Sequence, residues 1–99
     1  MANVKNVKRA KTAPLFLSRL KKALVETLKQ NGIEAKVRSE PVPYTKLYRL
    51  AVLSPQFKAM RHSERQSLVW RIAERAVSPD EQMRISMILT LTSEEMEGK

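Results

Sequence analysis

The sequence predicts an α+β domain of two layers, in which a three-stranded mixed sheet carries helices on one face. Two segments have apolar residues at helical spacing, three short segments alternate apolar and polar residues, and proline or glycine stands at most junctions between them. The predicted order is helix, strand, strand, short helix, helix, strand and short helix. Helices over one face of a sheet form the natural two-layer core for a chain of 99 residues.

The beginning of the chain is predicted to hold a tail and the first helix. Residues 1–13 carry four basic side chains and no apolar periodicity, which predicts a disordered basic tail before a single domain at 14–97. Pro14 suits the first turn of a helix, and Thr12 is a candidate cap. Gly32 is suited to ending this helix, because glycine readily adopts left-handed backbone angles. One face of the helix carries apolar residues at helical spacing: Leu17, Leu20, Leu24 and Leu28.

Three segments are predicted to be strands. Residues 33–38 alternate apolar and charged side chains, as a half-buried strand does, and two prolines, Pro41 and Pro43, then stop the pairing. Residues 46–53 form the second strand, which is apolar on nearly both sides. The third strand is predicted at 83–90. Its apolar face is expected to hold Ile85, Met87 and Leu89, and its opposite face Arg84, Ser86, Ile88 and Thr90.

The remaining helices are predicted from caps. Ser54-Pro55 can begin a short helix that runs through Met60. Ser63 and Gln66 have the spacing of a capping box, which predicts a second main helix that ends near Ser78-Pro79. Thr92 and Glu95 repeat this spacing and predict a short final helix.

Composition excludes several kinds of chemistry. The chain has no cysteine, one histidine (His62) and two glycines, so it lacks a thiolate nucleophile, cysteine-held metals and a glycine-rich phosphate loop. We therefore expect no enzymatic activity, no catalytic residue, no small-molecule substrate, no metal site and no cofactor. No apolar run approaches the roughly 20 residues that cross a bilayer, which predicts a cytoplasmic protein without a membrane partner.

Net charge indicates a polyanionic partner. The chain carries a formal charge of +9, and residues 1–50 hold twelve basic and three acidic side chains. The basic residues expected to contact phosphates of nucleic acid lie on the first helix and the first strand: Arg19, Lys21, Lys22, Lys29, Lys36 and Arg38. Tyr44 is the one aromatic residue expected to be exposed for stacking, whereas Trp70 is expected to contribute to the core. A merely solvated basic surface is the alternative interpretation.

Six residues at characteristic spacing carry a resemblance to a known family: Ser54, Phe57, Arg65, Val69, Arg84 and Thr92. Together with the order of elements, they resemble the BolA-like proteins, which have a class II KH-like fold. The likeness extends from about Pro14 to Glu95. It implies a regulatory nucleic-acid-binding role, in transcription or the stress response, or an adaptor role beside a monothiol glutaredoxin in iron–sulfur cluster handling. The resemblance places the partner-facing surface at Arg65, Arg71 and Arg84.

The resemblance also bears on the cluster itself. In the family, a histidine that opens the third strand is a candidate ligand of the shared cluster, and Arg84 occupies that position here. A guanidinium stays protonated and has no free lone pair for iron. Residues 39–45, where the family carries its second candidate ligand, contain neither cysteine nor histidine. Nucleic acid is therefore the preferred partner, and an adaptor that does not ligate a cluster is the alternative.

Overall fold

The computed structural model describes residues 14–96. The elements follow in the order α1 (Leu15–Gln30), β1 (Lys36–Pro41), β2 (Tyr48–Leu53), a 3₁₀ helix (Pro55–Ala59), α2 (His62–Ala76), α3 (Pro79–Gln82), β3 (Ile85–Leu91) and α4 (Ser93–Met96). In the sheet, β2 lies between β1, to which it is antiparallel, and β3, to which it is parallel. The predicted α+β class and mixed three-stranded sheet are confirmed, and the predicted basic tail at 1–13 lies outside the described residues.

Helix α1 follows its predicted pattern. Its four leucines at helical spacing are all fully buried, and Phe16 widens the buried stripe. The helix begins after Pro14, whose carbonyl accepts a hydrogen bond from the Leu17 amide. It ends at Gln30, two residues before Gly32, which has φ +77°, and the Ile33 amide donates to the Leu28 carbonyl at 2.9 Å. The leucine stripe therefore packs α1 into the core, and Gly32 allows the chain to turn away after the helix.

The core lies between the helices and one face of the sheet. Leucines of α1 meet Val69, Ile72 and Ala73 of α2, and both helices cover Leu50 and Val52 of β2. Phe57 of the 3₁₀ helix closes one end and is fully buried. Among residues 14–96, no helix packs against the opposite face of the sheet, and the side chains of that face are exposed or half-buried.

Helix caps account for two differences from the sequence prediction. Helix α2 begins at His62, with Glu64 accepting a hydrogen bond from the Arg61 amide at 2.9 Å, so the predicted Ser63 cap is wrong. An additional short helix, α3, follows Ser78, whose hydroxyl accepts from the Glu81 amide. The predicted cap of α4 is confirmed, because the Thr92 hydroxyl accepts from the Glu95 amide at 3.1 Å.

The third strand places different side chains in the core from those predicted. The pairing with β2 shifts by one residue between Tyr48 and Arg49, which pair with Ile85 and Met87. After this irregularity Ile88 and Thr90 are buried, whereas Met87 and Leu89 are exposed. The prediction that Ile85, Met87 and Leu89 share one face is therefore wrong, because Ile85 is buried and the other two are exposed. Strand β1 also begins later than predicted, at Lys36 instead of residue 33.

Candidate nucleic-acid interface

The face of the sheet that no helix covers is the candidate site, and we call it the open face. Strand pairing arranges its side chains in three rows that cross the sheet, because residues paired across strands share a face. The rows are Lys36–Leu53–Leu91, Arg38–Ala51–Leu89 and Glu40–Arg49–Met87. The open face is thus charged along β1 and apolar along β3.

Charge on the open face is only partly neutralised. Arg49 forms an ion pair with Glu40, with 2.9 Å between Nη2 and Oε2. Lys36 and Arg38 are exposed and make no ion pair with any described residue. Two shallow grooves of about 410 and 550 Å³ lie along this face and share Arg38 in their linings. An anion on this face would therefore meet two unpaired cations beside exposed Met87 and Leu89.

The six predicted nucleic-acid residues do not all lie on one surface. Lys36 and Arg38 lie on the open face, whereas Lys21, Lys22 and Lys29 belong to α1, which packs against the other face of the sheet. Lys22 and Lys29 are exposed, and Lys21 is half-buried. Arg19 is already paired, since its Nη2 lies 2.7 Å from Oε1 of Glu81 in α3. The open face thus brings together two of the six residues.

The hairpin between β1 and β2 presents Tyr44 at its tip. Tyr44 is fully exposed and has φ +64°, which is unusual for a bulky side chain. The loop is nevertheless ordered by hydrogen bonds, from the Val42 amide to the Leu47 carbonyl at 2.9 Å and from the Thr45 hydroxyl to the Val42 carbonyl at 2.8 Å. Tyr44 is therefore available as an aromatic surface at the tip of the hairpin that contributes β1 and β2.

Arg65, a predicted partner-facing residue, lies inside the protein. Its Nε donates to the Phe57 carbonyl at 3.0 Å, and its Nη1 donates to the Thr90 carbonyl at 3.2 Å and to Glu95 Oε1 at 2.9 Å. The guanidinium also stacks over the Phe57 ring, with 5.7 Å to the centroid. Arg65 joins the 3₁₀ helix, β3 and α4, and only 6% of it is exposed, so little of it is free for a partner.

Arg84 occupies the position where the resembled family carries its histidine. Its guanidinium lies 5.4 Å from the Phe16 ring and 5.6 Å from the Tyr48 ring, and its Nε donates to the Lys46 carbonyl at 3.2 Å. These contacts tie the start of β3 to α1 and the hairpin. Arg84 offers no lone pair to iron, and residues 39–45 contain no cysteine or histidine, so the residues present do not fit a shared iron–sulfur cluster.

Among the remaining residues singled out from the sequence, Arg71 is exposed on α2 and Trp70 is half-buried against the core. The predicted core role of Trp70 agrees with this packing. His62 is exposed as the first residue of α2.

The pKa values of two carboxyl groups are lowered from the ordinary value of a glutamate. The Ser78 amide and the Arg19 guanidinium each donate a hydrogen bond to the Glu81 carboxylate, and these hydrogen bonds lower the pKa of Glu81. The Thr92 amide and the Arg65 guanidinium each donate a hydrogen bond to the Glu95 carboxylate, and the pKa of Glu95 is lowered in the same way. Both groups cap short helices, and neither lies on the open face.

Arg49, Met87 and Leu89 are the open-face residues that sequence reasoning missed as site residues. Along β3, Met87 and Leu89 alternate with Ile88 and Thr90, and both sets contain apolar residues. The period of two alone does not show which of the two sets faces the core. A weak signal was present, because the face predicted opposite Met87 and Leu89 included Ile88 and Thr90, which are β-branched residues typical of strands.

Within residues 14–96, none of the helices combines the length and the apolar composition needed to cross a bilayer. In the same part of the chain, no three histidine, aspartate or glutamate side chains come together in a way that could hold a metal ion.

Comparisons of the chain with protein-family models, with curated proteins and with solved structures found no match. The likeness to BolA-like proteins therefore stays a resemblance carried by residue spacing and element order.

Proposed function

We propose that the chain is a non-catalytic binding module for single-stranded nucleic acid, with the open face as its binding surface. The observation that carries this proposal is the placement of two unpaired cations, Lys36 and Arg38, on the same exposed face as Met87 and Leu89. Phosphates are attracted to the cations, and unstacked bases can cover the apolar side chains. Tyr44 adds an exposed aromatic surface at the hairpin tip.

A single strand suits this surface better than a duplex. Adjacent strands of a sheet lie about 4.8 Å apart, so the cations of β1 lie about 10 Å from the side chains of β3. A nucleic-acid strand that runs along β1 can place phosphates on Lys36 and Arg38 and turn its bases toward Met87 and Leu89. A duplex keeps its bases stacked inside and offers only its charged backbone to the apolar strip.

The resemblance to BolA-like proteins supports the same class of function. It includes a regulatory role in transcription or the stress response, which we carry into the proposal together with a cytoplasmic location. The adaptor alternative has less support, because Arg65 is buried and Arg84 is held by Phe16, Tyr48 and the Lys46 carbonyl.

The proposal is tested by fluorescence anisotropy with a labelled 12-nucleotide strand and its duplex, each at 50 and 200 mM salt. For single strands, each phosphate contact contributes about 0.7 to the slope of log K against log salt. We expect Lys36→Gln/Arg38→Gln to reduce the slope by about 1.4. The matched control Lys22→Gln/Lys29→Gln removes the same charge from exposed positions of α1 and is expected to leave the slope nearly unchanged.

Two results would contradict the proposal. One is the absence of strand binding by the unaltered chain at 50 mM salt. The other is an equal loss of slope in both double variants, since that would attribute binding to net charge and not to the open face.

A further inference from the structure

A second surface lies between α1 and α2, and we call it the helix groove. It is an open groove of about 470 Å³ whose lining includes Ala23 and Thr27 of α1 and Leu68, Ile72 and Ala76 of α2. The small side chains of Ala23 and Ala76 leave open space between the two helices at this point. A shallower hollow of about 310 Å³ shares Leu68 and Arg71 with it and continues along α2 to Ser63. From Ser63 to Ala76 the surface is about 20 Å long, since a helix rises about 1.5 Å per residue.

Two arginines stand on the α2 side of the helix groove. Arg71 and Arg75 are exposed, lie one helical turn apart and make no ion pair with any described residue. Among the residues that line the helix groove and its continuation, Glu64 is the one acid; it lies at the far end, and its carboxylate accepts a hydrogen bond from the Arg61 amide. Glu74, which lies between the two arginines in sequence, is exposed and does not line the groove. The helix groove thus combines an apolar floor with an unpaired positive rim.

We propose that the helix groove binds an acidic amphipathic helix of a partner protein. Apolar side chains of such a helix, spaced by three or four residues, would cover Leu68 and Ile72, and two carboxylates one turn apart would face Arg71 and Arg75. A length of about 13 residues matches the 20 Å surface. This proposal is independent of the nucleic-acid proposal, because the helix groove and the open face lie on opposite sides of the sheet.

Charge argues against two other occupants. The chain's own first 13 residues carry four basic and no acidic side chains, so Arg71 and Arg75 would repel them. A second copy of the chain brings a further formal charge of +9, which opposes association at a positive rim. An acidic partner helix gains from both the positive rim and the apolar floor.

The experiment uses the full chain, labelled with ¹⁵N, and a synthetic peptide of about 14 residues with leucines on one helical face and glutamates on both flanks. A peptide of the same composition in scrambled order is the first control. We expect saturable amide shifts at Thr27, Asn31 and Leu68 with the amphipathic peptide only. Arg71→Glu/Arg75→Glu is expected to weaken binding at least about tenfold. Lys36→Glu/Arg38→Glu makes the same charge change on the open face and is expected to change binding less than about twofold.

A charge exchange sharpens the test. A peptide with lysines in place of its glutamates should bind Arg71→Glu/Arg75→Glu better than it binds the unaltered chain. The proposal is overturned if the amphipathic peptide causes no saturable shifts, if the scrambled peptide binds equally well, or if both double variants lose the same affinity. It is also overturned if an oligonucleotide shifts the helix-groove amides, because Arg71 and Arg75 would then serve phosphates.

Discussion

Replacement of Arg65 by methionine tests how the helices are joined to the sheet. Methionine has a flexible apolar side chain that fills irregular space, but it cannot donate a hydrogen bond. Arg65→Met therefore removes the donors to the Phe57 carbonyl, the Thr90 carbonyl and the Glu95 carboxylate. The Phe57 carbonyl keeps a bond from the Met60 amide.

The cost follows from the two carbonyl contacts. A hydrogen bond that involves a charged group contributes about 1.5–3 kcal/mol, so loss of both costs at least about 3 kcal/mol. The substitution also removes the cost of keeping a charged guanidinium out of water and buries an apolar side chain in its place, and together these effects offset about 1 kcal/mol of the loss. The Glu95 carboxylate is 43% exposed and rehydrates, so its contact is left out of the sum. We expect Arg65→Met to lower the free energy of unfolding by about 2–5 kcal/mol.

Urea denaturation followed by circular dichroism measures this loss. With a slope of about 1 kcal/mol per molar urea, the midpoint should fall by about 2 M or more. Arg71→Met is the matched control, because Arg71 is exposed on the same helix, and its effect should stay within about 0.5 kcal/mol. Equal midpoints for the two variants would refute the structural role of Arg65.

Three further predictions concern a turn, a cap and the third strand. Gly32→Ala should lower the free energy of unfolding by about 1 kcal/mol, because φ at this position is +77° and a residue with a Cβ is strained there. No neighbouring atom lies within 4 Å of the added Cβ, so the cost comes from the backbone and not from a clash, and an unchanged urea midpoint would contradict this. Glu95→Gln should lower the free energy of unfolding at pH 7, because the lowered pKa of Glu95 stabilises the folded chain when the carboxylate is ionised. The difference in stability between the variant and the unaltered chain should shrink as the pH falls below about 4.5 and Glu95 becomes protonated. A difference that does not change with pH in unfolding experiments would contradict this. Leu89→Lys should change the free energy of unfolding by less than about 0.5 kcal/mol, whereas Ile88→Ala should cost about 2–4 kcal/mol; the reverse order in urea would show that the third strand faces the other way.

Local patterns predicted several elements well. The leucines of α1 recur at helical spacing over about three turns, and the Asn31-Gly32 stop needs no tertiary contact, so both could be predicted from the sequence. The reciprocal cap of Thr92 and Glu95 is equally local. The predicted cap at Ser63 is wrong because Arg61 and Glu64 form the cap of α2, and the short helix that Ser78 caps was not predicted.

Tertiary relations were beyond the sequence. The irregular pairing beside Arg49 reverses which side chains of β3 enter the core, and nothing in the composition of β3 marks its position. Arg19 finds its partner Glu81 sixty-two residues away, so its pairing could not be foreseen. The sequence showed which basic residues could contact phosphates, but it did not show which of them lie on the same surface. That depends on how α1 packs against the sheet, because the lysines of α1 and the cations of β1 belong to opposite faces.

The most direct test of the nucleic-acid proposal is an amide-shift map of the full chain titrated with an unlabelled 12-nucleotide strand at 50 mM salt. We expect saturable shifts at Arg38, Ala51 and Leu89, which form one row of the open face, and small shifts along α1. Saturable shifts concentrated at Lys22 and Lys29, with the open face unmoved, would contradict the proposal.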